Sequence, residues 1–240
     1  MNNKKVIIIG IVLLTLASII AGVYAVKSYK KNNGATKNVS ADETKFKAEY
    51  ELLNNQLDDN NNKHSKIVVN KNNGIKYISD TELIEMINNK SGVVFIANNN
   101  DELSRLVIPS LLESKEETGL KSIYYLDITT IQSVLELGKK NKVKTVKKGT
   151  DSYYELLNKL DSYLEPYLLY NGDKVIDTNE KRITIPVLIA FNNGNIIGIH
   201  QGTVSTHMLL NNPYVSLSDG EKTELVNTYT NIMNKYLESK

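Results

Sequence analysis

Val93-Val94-Phe95-Ile96-Ala97 is a continuous apolar run that leads through Asn98-Asn99-Asn100 into Asp101-Glu102-Leu103-Ser104. Uninterrupted apolar runs of this length are typical of strands that are buried on both faces of a sheet. Asp101 is a preferred helix N-cap residue, and Glu102 falls in the first turn, where the helix dipole favours an acid. The stretch therefore predicts a central strand, a polar turn and a helix that starts at Asp101.

Outside this stretch, strand patterns and helix patterns alternate along the chain. A β-α-β order implies a parallel strand pair with a right-handed crossover. Asn171-Gly172-Asp173 and Asn192-Asn193-Gly194-Asn195 have the composition of hairpin turns. The predicted strands are 67–69, 92–97, 123–128, 187–191 and 196–200; the predicted helices are 83–90, 101–118, 153–164 and 218–240; 131–148 is predicted to be an insertion.

The composition excludes several classes of chemistry. The 240 residues include no Cys, so disulfides, thiolate nucleophiles and Cys-based metal sites are all excluded. The net charge of +2 conceals an uneven distribution, because residues 1–31 hold five Lys and no acid. The remainder has 24 basic and 27 acidic residues, and a mildly acidic body argues against nucleic-acid binding.

The N-terminal segment carries a long apolar run. Val6 to Val26 has no charged residue, and about 20 apolar residues are enough to cross a bilayer as a helix. A single-pass transmembrane anchor is therefore predicted, with a signal peptide cleaved after Ala25 as the alternative. The lysines on the two sides of the run compete, so the charge pattern leaves the orientation open.

Three regions follow from these patterns. Residues 1–31 are predicted to be a short basic N-terminus and the anchor. Residues 32–65 are predicted to be an Asn-rich stalk with a short helix from Ala41 to about Leu57, because Ser40 and Glu43 form a capping box. Residues 66–240 are predicted to form one α/β domain.

The predicted domain resembles the thioredoxin-like superfamily. In that family the central strand leads to C-x-x-C at a helix start, with a proline five residues after the second Cys. Asp101 and Ser104 occupy the two Cys positions in this chain, and Pro109 has the expected spacing. Ile185-Pro186 precedes a strand as the family's cis-proline does, and Gly202 follows the next strand, as a family glycine does.

Within that superfamily, residues 75–236 are most similar to an extracytoplasmic group of Gram-positive bacteria that includes the bacteriocin transport accessory proteins. The similarity rests on four segments, Phe95-Ile96-Ala97, Ile108-Pro109-Ser110-Leu111-Leu112, Ile123-Tyr124-Tyr125-Leu126-Asp127-Ile128 and Glu180-Lys181-Arg182-Ile183. The missing Cys pair departs from the group's pattern and puts redox activity in doubt, but leaves the fold expectation intact.

The resemblance implies an α/β thioredoxin-like fold, with a central mixed sheet flanked by helices and preceded by the transmembrane helix. It also implies an extracellular domain on the cell membrane that is not an enzyme. Such a protein would need no cofactor or metal and would bind a polypeptide partner without covalent chemistry. The alternatives are an accessory subunit of a thiol-disulfide oxidoreductase system and a wall-associated structural protein. The candidate partner-binding residues are Asp101, Glu102, Leu103, Ser104, Ile185 and Pro186.

Simpler explanations exist for the same residues. Asp101 to Ser104 is also what an ordinary helix start requires, since N-capping alone explains it. The six lysines of Lys139 to Lys148 either form a solvated insertion or contact anionic lipid or wall polymer. His200 and His207 lack the spacing of a metal site.

Overall fold

The computed structural model describes residues 39–208 and 212–240. Its helices are α1 (Ala41–Glu51), α2 (Asp80–Asn89), α3 (Glu102–Leu106), α4 (Ile108–Thr118), α5 (Asp151–Leu160), α6 (Ser205–Met208) and α7 (Asp219–Glu238). Its strands are β1 (Ile75–Tyr77), β2 (Ser91–Ala97), β3 (Ile123–Asp127), β4 (Val134–Leu137), β5 (Val143–Lys147), β6 (Pro166–Asn171), β7 (Lys174–Lys181), β8 (Val187–Asn192) and β9 (Asn195–Gln201).

Five strands form one mixed sheet in the order β1-β3-β2-β8-β9. β1 and β2 both run parallel to β3, whereas β8 is antiparallel to β2 and to β9. The predicted β-α-β unit and the predicted hairpin of 187–200 are therefore confirmed. Strand β2 lies in the middle, and every residue from Gly92 to Ala97 is buried, as its apolar run predicts.

Helices cover both faces of this sheet. Because side chains alternate along a strand, Val93 and Phe95 of β2 enter one core while Val94 and Ile96 enter the other. The first core is closed by α1, α4 and α7, and the second by α2 and α5. Helix α1 contributes Phe46 and Tyr50, which lie in the same cluster as Phe95 and Tyr125. The chain from α1 onward thus shares the packing of the sheet.

The predicted fold class needs a correction, because it placed a transmembrane helix before the α/β domain. None of the helices in residues 39–208 and 212–240 is long and apolar enough to cross a membrane. Helix α7 has the length, with 20 residues, but it carries charged residues near both ends and its apolar face packs on the sheet. The stretch Val6 to Val26, to which the anchor was assigned, lies outside the described residues.

The helix predicted from Asp101 to Thr118 is divided in two at Val107. Pro109 explains the break, since a proline has no backbone N–H and its ring clashes with the carbonyl four residues earlier. In the structure Pro109 instead occupies the first turn of α4, where its missing donor costs nothing. Gly119 ends α4 with a left-handed φ of 67°, as a helix-terminating glycine does.

The strand predicted at Ile67 to Val69 does not form, although both end residues are buried. Side chains of the preceding segment bond this backbone in place of a neighbouring strand. Asn54 Oδ1 accepts from the N–H of Ile67 at 2.8 Å, and Glu51 Oε1 accepts from the N–H of Val69 at 2.9 Å. The helix predicted to reach Leu57 ends at Glu51, and Asn54 in the turn that follows makes one of these contacts.

The insertion predicted at 131–148 forms a hairpin from β4 and β5, and a second hairpin follows from β6 and β7. Two residues at the tip of the first hairpin, Lys140 and Asn141, have left-handed φ values of 58° and 59°. The two hairpins lie side by side, since the Asn171 amide donates to Asn141 Oδ1 at 2.7 Å.

Candidate functional site

The sheet brings the two halves of the candidate site to one edge. Ile96 near the end of β2 is paired with Val187 at the start of antiparallel β8. The residues that follow β2, including Asp101, and those that precede β8, Ile185 and Pro186, therefore emerge at the same end. The peptide bond between Ile185 and Pro186 is cis, which confirms the expectation from the sequence.

Gly202 directly follows β9 and contacts the cis-proline loop. Its N–H donates to the carbonyl of Pro186 at 2.7 Å, and its φ of 73° is in the left-handed region that favours glycine. A Cβ added at Gly202 would approach the side chain of Met208 to 3.1 Å. The loop before β8 is thus anchored to the end of β9 through its proline.

The backbone just before the proline has no such anchor. No residue in the described parts of the chain forms a hydrogen bond with the backbone N–H or C=O of Thr184 or Ile185. Thr184 is exposed and Ile185 is partly exposed. Unpaired N–H and C=O groups next to a sheet provide a template for an added strand.

Asp101 caps helix α3, as the sequence suggests. Its Oδ2 accepts from the backbone N–H of Ser104 at 2.7 Å. Burial raises the pKa of the Asp101 carboxyl, and the bond from Ser104 opposes that shift. Ser104 itself is fully buried, and its Oγ accepts from the N–H of Asn98 at 3.4 Å.

These facts predict different effects for two substitutions at this cap. Asp101→Ala should lower the free energy of unfolding by about 1 kcal/mol, because the cap is lost. Asp101→Asn keeps a capping oxygen without the desolvated charge, so at neutral pH it should match or exceed the wild type. Denaturant unfolding measures both.

The pH dependence of the asparagine variant follows from the raised pKa. In the wild type the charged carboxylate is disfavoured by folding, so stability falls as pH rises from the unfolded value of about 4 through the higher folded value. The advantage of Asp101→Asn should therefore grow over that window and shrink below it. An asparagine variant that is less stable than the alanine variant at neutral pH would contradict the capping role.

Glu102 is buried and engaged within the protein. Only 5% of it is exposed, and its Oε1 accepts from the backbone N–H of Ser65 at 2.6 Å. Its Oε2 lies 2.9 Å from His64 Nδ1 and 3.6 Å from Arg105 Nε. This carboxylate therefore holds the segment at residues 64–65 against the start of α3.

Arg105 is the main residue of the region that the sequence pattern did not single out. Its side chain is fully buried, and the guanidinium donates to the carbonyls of Tyr50 and Ser65 at 2.8 Å each. Weaker contacts reach Asn54 Oδ1 at 3.3 Å and the carbonyl of Asn99 at 3.5 Å. In the sequence, the signal that could have identified Arg105 is its position as the single Arg in the mostly apolar stretch 103–112.

A loop covers part of the helix start, and we call residues 56–65 the covering loop. It is closed by the backbone bond from His64 N–H to the Gln56 carbonyl and by an Asp58 carboxylate that accepts from the N–H groups of Asn60 and Asn62. Tyr214 donates its hydroxyl to Asp58 Oδ2 at 2.7 Å, and this bond raises the pKa of Tyr214 to about 12. The loop is thereby tied to both α3 and the segment before α7.

The six predicted site residues thus divide into two groups. Glu102, Ser104 and Pro186 are buried and serve internal contacts. Asp101, Leu103 and Ile185 are partly exposed and are the three that a partner can reach. Within residues 39–208 and 212–240, no group of three or more His, Cys, Asp or Glu side chains is placed to hold a metal ion.

The class of protein that these features define is an α/β domain with a mixed five-stranded sheet, in which a thiol-free helix start and a cis-proline loop lie at the same end of the sheet. No protein family model matches the chain, and a search of curated proteins finds no significant relative.

Proposed function

We propose that this protein binds a polypeptide partner non-covalently at the sheet edge formed by Ile185, Pro186 and the start of α3, and that it is not an enzyme. The observation that carries the proposal is the unpaired backbone of Thr184 and Ile185 directly before β8, a buried strand that is paired on both sides. An extended peptide can form main-chain hydrogen bonds with unpaired backbone groups of this kind, and nearby side chains supply selectivity.

The surroundings support an extended, partly apolar peptide. Ile185 packs partly against the core cluster of α2 and α5, so its exposed portion offers an apolar contact beside the open backbone. Leu103 adds a second apolar contact that is partly exposed, and Asp101 adds a carboxylate. Such a site would select peptides in which a residue with a hydrogen-bond donor is next to an apolar residue.

The resemblance to thioredoxin-like proteins supports this proposal, and so do the mixed sheet and the cis bond before Pro186. That resemblance also underlies the proposed position of the domain outside the cell membrane. The proposal includes no cofactor, metal or nucleic acid.

The test is a selection of displayed random peptides on the full-length protein, followed by affinity measurements on two variants. Thr184→Pro removes one open backbone N–H and restricts the residue before it. Thr184→Ala changes the same side chain and leaves that N–H in place. Peptides selected on the wild type should bind Thr184→Pro about fivefold more weakly, since one hydrogen bond contributes about 1 kcal/mol.

The alanine variant should retain wild-type affinity, and the circular dichroism spectra of both variants should match the wild type. Selected peptides that bind Thr184→Pro as tightly as the wild type would contradict the proposed edge. The same conclusion would follow if no peptide were recovered from a library that yields binders on a known peptide-binding domain.

A further inference from the structure

The β4–β5 hairpin carries a dense group of unpaired positive charges. All six of its lysines are exposed, and no described acid lies within ion-pair distance of any of them. Lys147 Nζ donates to the carbonyls of Thr129 and Thr130, which fixes the hairpin to the loop after β3. The hairpin lysines are Lys139, Lys140, Lys142, Lys144, Lys147 and Lys148.

This charge is segregated from the rest of the domain. Residues 39–240 contain 23 Lys and Arg and 27 Asp and Glu; without the six hairpin lysines the count is 17 against 27. A positive end on an otherwise acidic body would turn the hairpin toward any negatively charged surface.

The register shows which side chains face outward. Leu135 pairs with Thr145, and Glu136 pairs with Lys144, so Leu135 and Lys144 lie on opposite faces of the hairpin. Leu135 is buried, whereas Lys144 is exposed. Val146 falls where the register shifts, and it is 51% exposed. The outward face therefore carries Lys144 with the exposed Glu136 opposite it, and an exposed apolar side chain follows two residues later at Val146.

The tip of the β6–β7 hairpin adds apolar surface at the same place. Tyr170 pairs with Val175, and they are 67% and 56% exposed. Both lie next to the turn of the second hairpin. Asn171 in that turn donates to Asn141, which stands between Lys140 and Lys142 at the tip of the first hairpin. Asp173 is the acid of this turn, and it is followed by Lys174.

We propose that these two tips form a surface that contacts the anionic headgroups of a lipid bilayer. Tyr is enriched at the headgroup level of membranes, where its ring meets the apolar phase and its hydroxyl stays in water. Lysines near a bilayer are attracted to anionic lipids. A soluble polyanion would engage the lysines equally but would offer no apolar phase to Tyr170, Val175 and Val146, so the exposed apolar side chains favour the bilayer.

This surface consists of other residues than the Ile185 edge, so the inference does not depend on the proposed peptide binding. A domain held by the hairpin tips would have a defined orientation on the bilayer. The surface uses side chains of the folded domain and requires no membrane-spanning helix.

The absence of Cys in the chain allows a site-specific test on the full-length protein. A Val175→Cys variant is labelled with an environment-sensitive fluorophore and mixed with vesicles of phosphatidylcholine, with or without phosphatidylglycerol. We expect a blue shift and increased emission with phosphatidylglycerol only, and loss of the shift in high salt. A label introduced by Val68→Cys, at a position that is 69% exposed before β1, should show no shift. Because each label reports on its own site, association of another segment with the vesicles does not produce the signal.

Two variants of matched charge test the lysines. Lys140→Glu/Lys142→Glu/Lys144→Glu should weaken the response to phosphatidylglycerol vesicles by about tenfold or more. Lys66→Glu/Lys121→Glu/Lys235→Glu makes the same charge change at exposed sites elsewhere and should retain it. Equal shifts with both kinds of vesicle, equal losses in both variants, or a shift with soluble polyphosphate as large as that with vesicles would each overturn the proposal.

Discussion

Replacing Arg105 with alanine should destabilise the domain by about 3–5 kcal/mol, the largest loss expected for any side chain around the start of α3. The side chain is fully buried, and its removal would leave the carbonyls of Tyr50 and Ser65 without their donor. It would also leave the buried carboxylate of Glu102 without the cation that lies 3.6 Å from it. Guanidinium chloride unfolding, with the midpoint and slope compared to wild type, measures the loss.

Arg182→Ala is the matched control for Arg105→Ala. Arg182 is partly exposed, makes one side-chain hydrogen bond to Gln132 and stacks on Tyr167 at 4.6 Å, so its loss should cost about 1 kcal/mol or less. The double variant Arg105→Met/Glu102→Gln should be more stable than Arg105→Ala, since it removes the unpaired charge and fills the volume. A cost below about 1 kcal/mol for Arg105→Ala would show that the start of α3 is held by other contacts.

The second large expected effect is the gain of redox activity in a double-cysteine variant of this cysteine-free chain. The wild type should be inert in insulin reduction, because dithiol exchange requires a thiolate and the chain contains no Cys. Asp101→Cys/Ser104→Cys places two thiols at the N-cap and third helical position of α3, where the Asp101 carboxylate already reaches the Ser104 N–H at 2.7 Å. The double variant should form one internal disulfide and show measurable reductase activity, since a helix N-terminus favours a thiolate.

A second pair of cysteines, at the start of another helix, distinguishes the effect of a helix N-terminus from the effect of the Ile185-Pro186 edge. Ser218 and Glu221 are the N-cap and third helical position of α7, and they have the same local geometry. Ser218→Cys/Glu221→Cys should also form a disulfide but should show no reductase activity, because the Ile185-Pro186 edge is not beside it. Thiol titration and insulin turbidity distinguish the pairs. Two thiols at 101 and 104 that stay unpaired under oxidant, or equal activity in both pairs, would contradict the site.

Local sequence determined the elements whose stability comes from neighbouring residues. The capping box of Ser40 and Glu43 starts α1 where predicted, because it needs only two side chains three residues apart. The apolar run of 93–97 becomes a buried central strand because each residue can enter one of two cores. The hairpin of β8 and β9 forms because its turn residues, Asn193 and Gly194, tolerate the positive φ that they adopt.

Only the tertiary structure decided the contacts that join distant parts of the chain. Ile67 to Val69 has a strand-like pattern, but its hydrogen bonds go to side chains of Glu51 and Asn54, which no local pattern reveals. The burial of Arg105 depends on carbonyls that lie 55 and 40 residues away in sequence, at Tyr50 and Ser65.

The candidate site shows the same division. The capping role of Asp101 was found from the sequence because capping is local, whereas Ile185-Pro186 was identified through the resemblance to thioredoxin-like proteins. Packing decided three further features. Glu102 and Ser104 are buried, and the backbone of Thr184 and Ile185 is unpaired. The two hairpin tips meet at Asn141 and Asn171. Such pairings arise from the sheet register and from where loops return, and these depend on the whole fold and not on any single segment.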